Sequence, residues 1–321
     1  MDPPLDNVVA PDAHGLARAC AALWAGELVG FPTETVYGLG ADAMDESAVA
    51  RIFAAKGRPA DNPLIVHLPD AEHVGPVVDA WTPLARRLAE DFWPGPLTLV
   101  LDAASQLPRV TTGGLATVAV RVPDHPVAQT LLWDVGRPLA APSANRSGRP
   151  SPTEAAHVSQ DLGDAVRVVL DGGPCPVGVE STVVDARGRV PLVLREGSIT
   201  REDLGAAETV TDGDRLRASP GTRYRHYAPT CRVAVAAAGT AAATAHRLMG
   251  EGVTVGLVAT EPPPPGVVGV ARFVDAADLA RQLYAALRTA ETAGVGVVVV
   301  EAVGEAGVGR AVMDRLRRAA G

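Results

Sequence analysis

Lysine is nearly missing from this chain. Of its 29 Lys and Arg residues all but one are arginine, and the exception, Lys56, stands directly before Gly57-Arg58-Pro59-Ala60-Asp61-Asn62-Pro63. Aromatic residues make up only 4% of the sequence, so Val, Leu and Ala must fill the core that a 47% hydrophobic content provides. The three cysteines, Cys20, Cys175 and Cys231, are odd in number, far apart and without a CxxC pair, which leaves no readable disulfide framework or zinc site. The net charge of -8 argues against a broad, sequence-independent nucleic-acid binder, since such proteins displace phosphate counterions with a basic surface. No apolar run approaches the roughly 20 residues needed to cross a bilayer. The start, MDPPLDNVVA, is acidic and proline-containing rather than basic and apolar. The cytoplasm is the location expected, without membrane contact. No GxxxxGK[ST] occurs, and the GVGR stretch beginning at Gly307 lacks the full GxGxxG pattern, so neither phosphate-binding fingerprint is available. No Ser-His-Asp or Cys-His arrangement stands out.

What is present is a mixed α/β pattern over 321 residues, a length that suggests two domains. Helical spacing is read over 12–26, 47–55, 83–92, 126–135 and 153–162, with Asp12 and Thr153 as candidate caps. Short apolar strands are read over 28–31, 64–68, 97–101, 117–122, 139–142, 166–170, 181–185 and 192–195. Several strands follow one another without a helix between them, so a purely parallel sheet is not expected. From Gly205 to Pro229 the apolar periodicity stops, and a strand–helix pattern resumes from Cys231, with a long amphipathic helix over 276–292. The expected organisation is a catalytic α/β domain over 1–204, an interdomain linker or lid over 205–230, and a smaller Rossmann-like domain over 231–321.

The chemistry-bearing segments are polar, glycine-rich loops at strand ends, where α/β proteins place ligands. Pro32-Thr33-Glu34-Thr35-Val36-Tyr37-Gly38-Leu39-Gly40 sets two hydroxyls and a carboxylate between a buried strand and a double-glycine turn; alone it also reads as an ordinary Thr-stapled turn. Lys56 and Arg58 bring two cations to a proline-stiffened loop, suited to phosphate or simply to a helix C-terminus. His67 follows on the next strand. Arg121 closes the alternating strand Thr117–Arg121, where it needs an anionic partner: a substrate carboxylate or an internal Asp or Glu. Ala141-Pro142-Ser143-Ala144-Asn145, Arg149 to Thr153, Gly178 to Val183 and Leu194 to Gly197 complete the set. Arg223-Tyr224-Arg225-His226-Tyr227 interleaves cations with aromatics, suited to an adenine, a phosphate or an RNA surface.

In this order PTETVYGLG, KGRPADNPLIVH, WPGPLTLVL, TVAVRVPDHP, APSANRSGRPSPT, GVESTVVD and LREG resemble the YrdC-like domain of the threonylcarbamoyl-AMP synthases. SPGTRYRHYAP plus the C-terminal α/β segment resembles the longer, two-domain branch of that family. The resemblance implies a twisted, mixed α/β catalytic domain with a concave basic face, a Rossmann-like C-terminal domain and a linker that serves as a lid. It implies that Thr35, His67, Arg121 and Ser181, with the backbone of Ala141, hold L-threonine. It implies that Arg58, Asn62, Thr117, Ser143, Ser151, Arg195 and Tyr227 hold ATP, with Lys56 beside the phosphates. Lys56, Arg58 and Arg121 are the residues expected to carry catalysis by charge neutralisation.

The activity so implied joins L-threonine, bicarbonate and ATP into threonylcarbamoyl-AMP and pyrophosphate, for a downstream tRNA threonylcarbamoyl transferase complex. Mg2+ would accompany the ATP phosphates, with no metal site built by the protein itself. No residue presents itself as an obligatory general base; His67 is a candidate. Two other readings stand beside this one, a double-stranded RNA-binding module and a carbamoyltransferase-type relative. The zinc-binding cysteines and acylphosphatase-like domain of the latter are not visible.

Overall fold

The computed structural model describes residues 7–205, 207–209, 219 and 227–321. Most of the expected linker, including Arg223, Tyr224, Arg225 and His226, therefore lies outside the described residues. The chain divides into two compact units. The first comprises Met1–Ser147, Pro152–Pro176 and Glu180–Arg223, the second Gly148–Ser151, Val177–Val179 and Tyr224–Gly321. Two short stretches from within the expected catalytic domain thus belong to the second unit. Arg288 Nη2 donates to Pro150 O at 2.6 Å, and Arg149 pairs with Glu291 at 2.8 Å.

Among the described residues the first unit holds an eleven-stranded mixed sheet. Its strands are β1 (Val8–Val9), β2 (Val29–Phe31), β3 (Gly38–Asp42), β4 (Ile65–His67), β5 (Leu97–Asp102), β6 (Thr117–Arg121), β7 (Leu139–Ala140), β8 (Val168–Leu170), β9 (Thr182–Asp185), β10 (Leu192–Arg195) and β11 (Glu208–Thr209). They lie in the order β1-β8-β2-β3-β7-β4-β6-β5-β9-β10-β11. Helices α1 (Ala13–Trp24), α2 (Glu46–Lys56), α3 (Pro83–Phe92), α4 (Pro126–Val135) and α5 (Ala155–Leu162) connect them. Strand alternation feeds two cores: Val168 and Leu170 join α1 and α4 residues in one cluster, while Val169 joins the larger cluster with Leu39, Ile52, Val66 and Leu99.

Local chemistry sets the helix ends. Asp12 Oδ1 accepts from Gly15 N at 2.8 Å and caps α1; Thr82 caps α3, with Pro83 in its first turn. Gly57, at φ +60°, ends α2 directly after Lys56. Two expectations need correction. The helix after Thr153 starts later, with Glu154 at the cap and no side-chain cap bond. Gly38 and Gly40 are not a turn: they belong to β3, antiparallel to β2. A side chain at Gly40 would lie 2.9 Å from the Phe31 ring, so the glycines admit that ring against the strand.

The second unit contains an all-parallel sheet ordered β12-β15-β13-β14, from β12 (Arg232–Ala236), β13 (Val255–Ala259), β14 (Val268–Arg272) and β15 (Val297–Glu301). Its helices are α6 (Ala241–Gly250), α7 (Ala276–Thr292) and α8 (Gly309–Ala320). The strand–helix alternation read from the sequence corresponds to this Rossmann-like arrangement. Helix α6 had no legible boundaries because its first turns, AAATA, are too uniform to show a stripe.

Candidate active site

Strands β4 and β6 run parallel and end on paired residues, His67 and Arg121. Arg121 is buried, and its guanidinium is committed on two sides. Nε donates to Gly95 O at 3.2 Å, and Nη1 donates to the Thr35 hydroxyl at 2.9 Å. Nη2 lies 2.6 Å from Glu34 Oε1, an ion pair with both side chains under a tenth exposed. The two charges attract, yet no N–H points along that line: Nη2 and both Glu34 oxygens have no hydrogen-bond partner. The anion that Arg121 requires is thus in part internal, and Glu34 supplies it.

The loop that presents Glu34 and Thr35 is held by Thr33. Its hydroxyl donates to Val36 O at 2.7 Å and accepts from the Thr35 and Val36 amides. His67 is buried, with the Phe31 ring edge-on at 6.0 Å. Burial, and next the charge of Arg121, push its pKa down to about 3, so the imidazole is neutral at neutral pH. Cys175 is also buried here. Burial above all pushes its thiol up to about 12, which removes it as a nucleophile.

Ser181, just before β9, is fully buried and shares a 2.7 Å hydroxyl–hydroxyl bond with Thr98. Arg195, at the end of β10, donates from Nη2 to Ser181 O at 2.8 Å and to Ser181 Oγ at 3.1 Å. Ala141 is locked beside β4, its amide donating to Ile65 O at 2.8 Å. Thr117 opens β6 and is buried in register with Asp102.

Lys56 does not extend into solvent. Its Nζ is buried and donates to the backbone carbonyls of Ser143 and Asn145, gripping the turn in which the Ser143 hydroxyl donates to Asn145 Oδ1 at 2.6 Å. Burial, with the charge of Arg58 adding to it, lowers the Lys56 pKa well below the ordinary lysine value, against an opposing pull from Asp161. Arg58 turns back on its own loop, donating from Nε to Asn62 O at 3.3 Å and from Nη2 to Pro63 O at 2.9 Å.

The first unit therefore brings Thr35, Arg121 and His67 into one cluster and Ser181 with Arg195 into another, while Lys56, Ser143 and Arg58 form a third group. Ser151 and Tyr227 belong to the second unit. Tyr227, at φ +69°, is buried there, stacked on Tyr284 at 5.4 Å with the Arg315 guanidinium 5.5 Å from its ring centre. Sequence reading gave no role to Glu34, Thr98 or Gly95. Two signals were available for Glu34: its carboxylate in the Pro32–Gly40 segment, and Arg121, whose strand-end position calls for an anionic partner.

Comparison with known proteins bears on the chain as a whole. Residues 21–197 match the family model Sua5_yciO_yrdC, described as telomere recombination, and residues 199–321 match the C-terminal domain of threonylcarbamoyl-AMP synthase. A threonylcarbamoyl-AMP synthase of Pyrococcus abyssi is 44% identical over 92% of this chain and 91% of its own length. One from Bacillus subtilis is 43% identical, covering 95% and 93%. The crystal structure of P. abyssi Sua5 complexed with L-threonine is similar, with TM-score 0.90 and 42% identity over 95% of this chain and 94% of that one. Motif order, a two-unit α/β architecture and these likenesses over nearly the full length converge: the chain belongs to the threonylcarbamoyl-AMP synthase family.

Proposed function

We propose that this chain joins L-threonine, bicarbonate and ATP into threonylcarbamoyl-AMP and pyrophosphate, and that a tRNA threonylcarbamoyl transferase complex consumes the product in the cytoplasm. The observation that carries the reading is Arg121: a buried guanidinium fixed by Gly95 and Thr35, with Nη2 beside the Glu34 carboxylate at 2.6 Å but in no aligned hydrogen bond. An α-carboxylate fits that nitrogen.

In this reading Arg121 receives the threonine carboxylate, and the Thr35, His67 and Ser181 side chains with the Ala141 backbone surround the rest of the amino acid. A neutral His67 offers its ring to the threonine hydroxyl without adding charge. Arg58, Asn62, Thr117, Ser143, Ser151, Arg195 and Tyr227 are assigned to ATP on the family resemblance. Lys56 holds the Ser143–Asn145 turn in place. A carbamate oxygen attacks the α-phosphorus of ATP and pyrophosphate leaves. Both reactants are anions, so alignment and charge neutralisation are the protein's main work.

Among the described residues no group of three or more His, Cys, Asp or Glu could hold a metal ion, and the side chains assigned to the nucleotide are cationic or neutral. Mg2+ would therefore enter with ATP, beside Arg58 and Arg195, and would supply further charge neutralisation for the phosphates.

The test incubates the protein with ATP, Mg2+, bicarbonate and single amino acids, followed by mass spectrometry. Threonylcarbamoyl-AMP should appear with threonine and not without bicarbonate. Pyrophosphate release without any threonine adduct would overturn the reading.

A further inference from the structure

We infer that the Glu34 carboxylate binds the α-ammonium of the amino-acid substrate and takes a proton from it as the carbamate forms. The inference deepens the proposed function and rests on it. Three buried polar atoms at one place have no hydrogen-bond partner: Arg121 Nη2, which lacks an acceptor, and Glu34 Oε1 and Oε2, which lack donors. Nη2 and Oε1 are 2.6 Å apart. The Arg121 charge offsets part of the cost of burying this carboxylate, but neither oxygen receives an aligned hydrogen bond. The Thr33 hydroxyl proton goes to Val36 O, and the Thr35 hydroxyl, which accepts from Arg121 Nη1, donates its proton to Thr33 Oγ1 at 2.9 Å. The remaining ionisable groups that feel Glu34, His125 and Cys175, do not donate to it.

An α-amino acid is the complement of this arrangement. It carries an anion and a cation on the same carbon, one for Nη2 and one for Glu34. Nitrogen must lose a proton before it can bond to carbon, because an ammonium has no lone pair. The balanced step takes the substrate ammonium, bicarbonate and the Glu34 carboxylate to the carbamate, water and the Glu34 carboxylic acid. The N–C bond forms and one C–O bond of bicarbonate breaks. Of the two protons shed by nitrogen, one leaves in the water and the other stays on Glu34 until solvent removes it.

The experiment measures binding by calorimetry for L-threonine and for the threonine analogue in which hydrogen replaces the amino group. The wild-type protein should prefer threonine by about tenfold or more. Glu34→Gln should bind the two alike, and with saturating threonine should form the adenylate at least about tenfold more slowly. Glu34→Asp, which keeps the charge but draws the oxygens back, should show a reduced preference.

If Glu34→Gln weakened both ligands in proportion, Glu34 would merely position Arg121, and the inference would fail. It would fail equally if either variant kept the full preference, or if the wild type had none. A wild-type protein that prefers threonine yet makes no adenylate would instead refute the proposed function and leave the ammonium contact standing.

Discussion

Replacing His67 with glutamine should flatten the acid side of the first unit's stability curve. In the folded protein the imidazole titrates at about 3, against 6.5 for an unperturbed histidine, because it is fully buried and sits beside the Arg121 charge. Below pH 6.5 the unfolded chain therefore binds a proton that the folded chain refuses. Folding loses about 1.4 kcal/mol for each pH unit, from about pH 6.5 down to about pH 3. Above that window the contribution is fully present, and below it both states are protonated and the slope vanishes. Between pH 6 and pH 4 the cost from His67 alone is about 2–3 kcal/mol. His125, also lowered by burial, and the carboxylates act equally in wild type and variant, so they cancel in the difference. The assay is urea unfolding followed by tryptophan fluorescence. All four tryptophans, Trp24, Trp81, Trp93 and Trp133, lie in the first unit, so the signal reports the unit that contains His67. The stability gap between wild type and His67→Gln should shift by about 2–3 kcal/mol in favour of the variant as pH falls from 6 to 4. A gap that stays constant would show that His67 takes up its proton in place, contradicting its burial against Arg121.

Arg121→Ala should raise the threonine KM of adenylate formation by tens of fold and cost about 3–5 kcal/mol of stability by stranding Glu34; adding Glu34→Ala should recover part of that loss, and strict additivity in urea unfolding would argue against the ion pair. Lys56→Met should destabilise the first unit by about 1–3 kcal/mol, because two carbonyls of the Ser143–Asn145 turn lose their donor; an unchanged melting temperature would mean the lysine does not grip that turn. Gly40→Ala should cost about 1–3 kcal/mol, its new methyl group meeting the Phe31 ring at 2.9 Å, and the melting temperature of the variant checks it.

The pattern of loops and strands pointed to the segments that the structure gathers in the first unit. The loops that hold Thr35 and Ser181, and the strand-end Arg121, were conspicuous as polar residues next to short apolar strands, whereas the roles of Thr35, His67, Ser181 and Arg195 came from the family resemblance; His67, Arg121 and Arg195 end their strands, Ser181 precedes one and Thr35 lies in the loop between β2 and β3. Strand β6, helix α4 and helix α7 were readable because their periods are unbroken. The Gly38–Gly40 segment misled for a definite reason. Glycine ordinarily marks a turn, whereas here it makes room for a ring on the neighbouring strand.

By itself the sequence determined many of the elements, the motif order and with it the family, since each depends on residues close together along the chain. Only the tertiary structure decided that Arg121 faces Glu34, that Lys56 holds carbonyls nearly ninety residues away, and that the stretch from Gly148 to Ser151 belongs to the second unit. Those pairings are set by crossovers in strand order, which bring distant segments side by side. No local period encodes which strand will lie beside which, so the partner of a buried charge becomes visible only once the sheet is assembled.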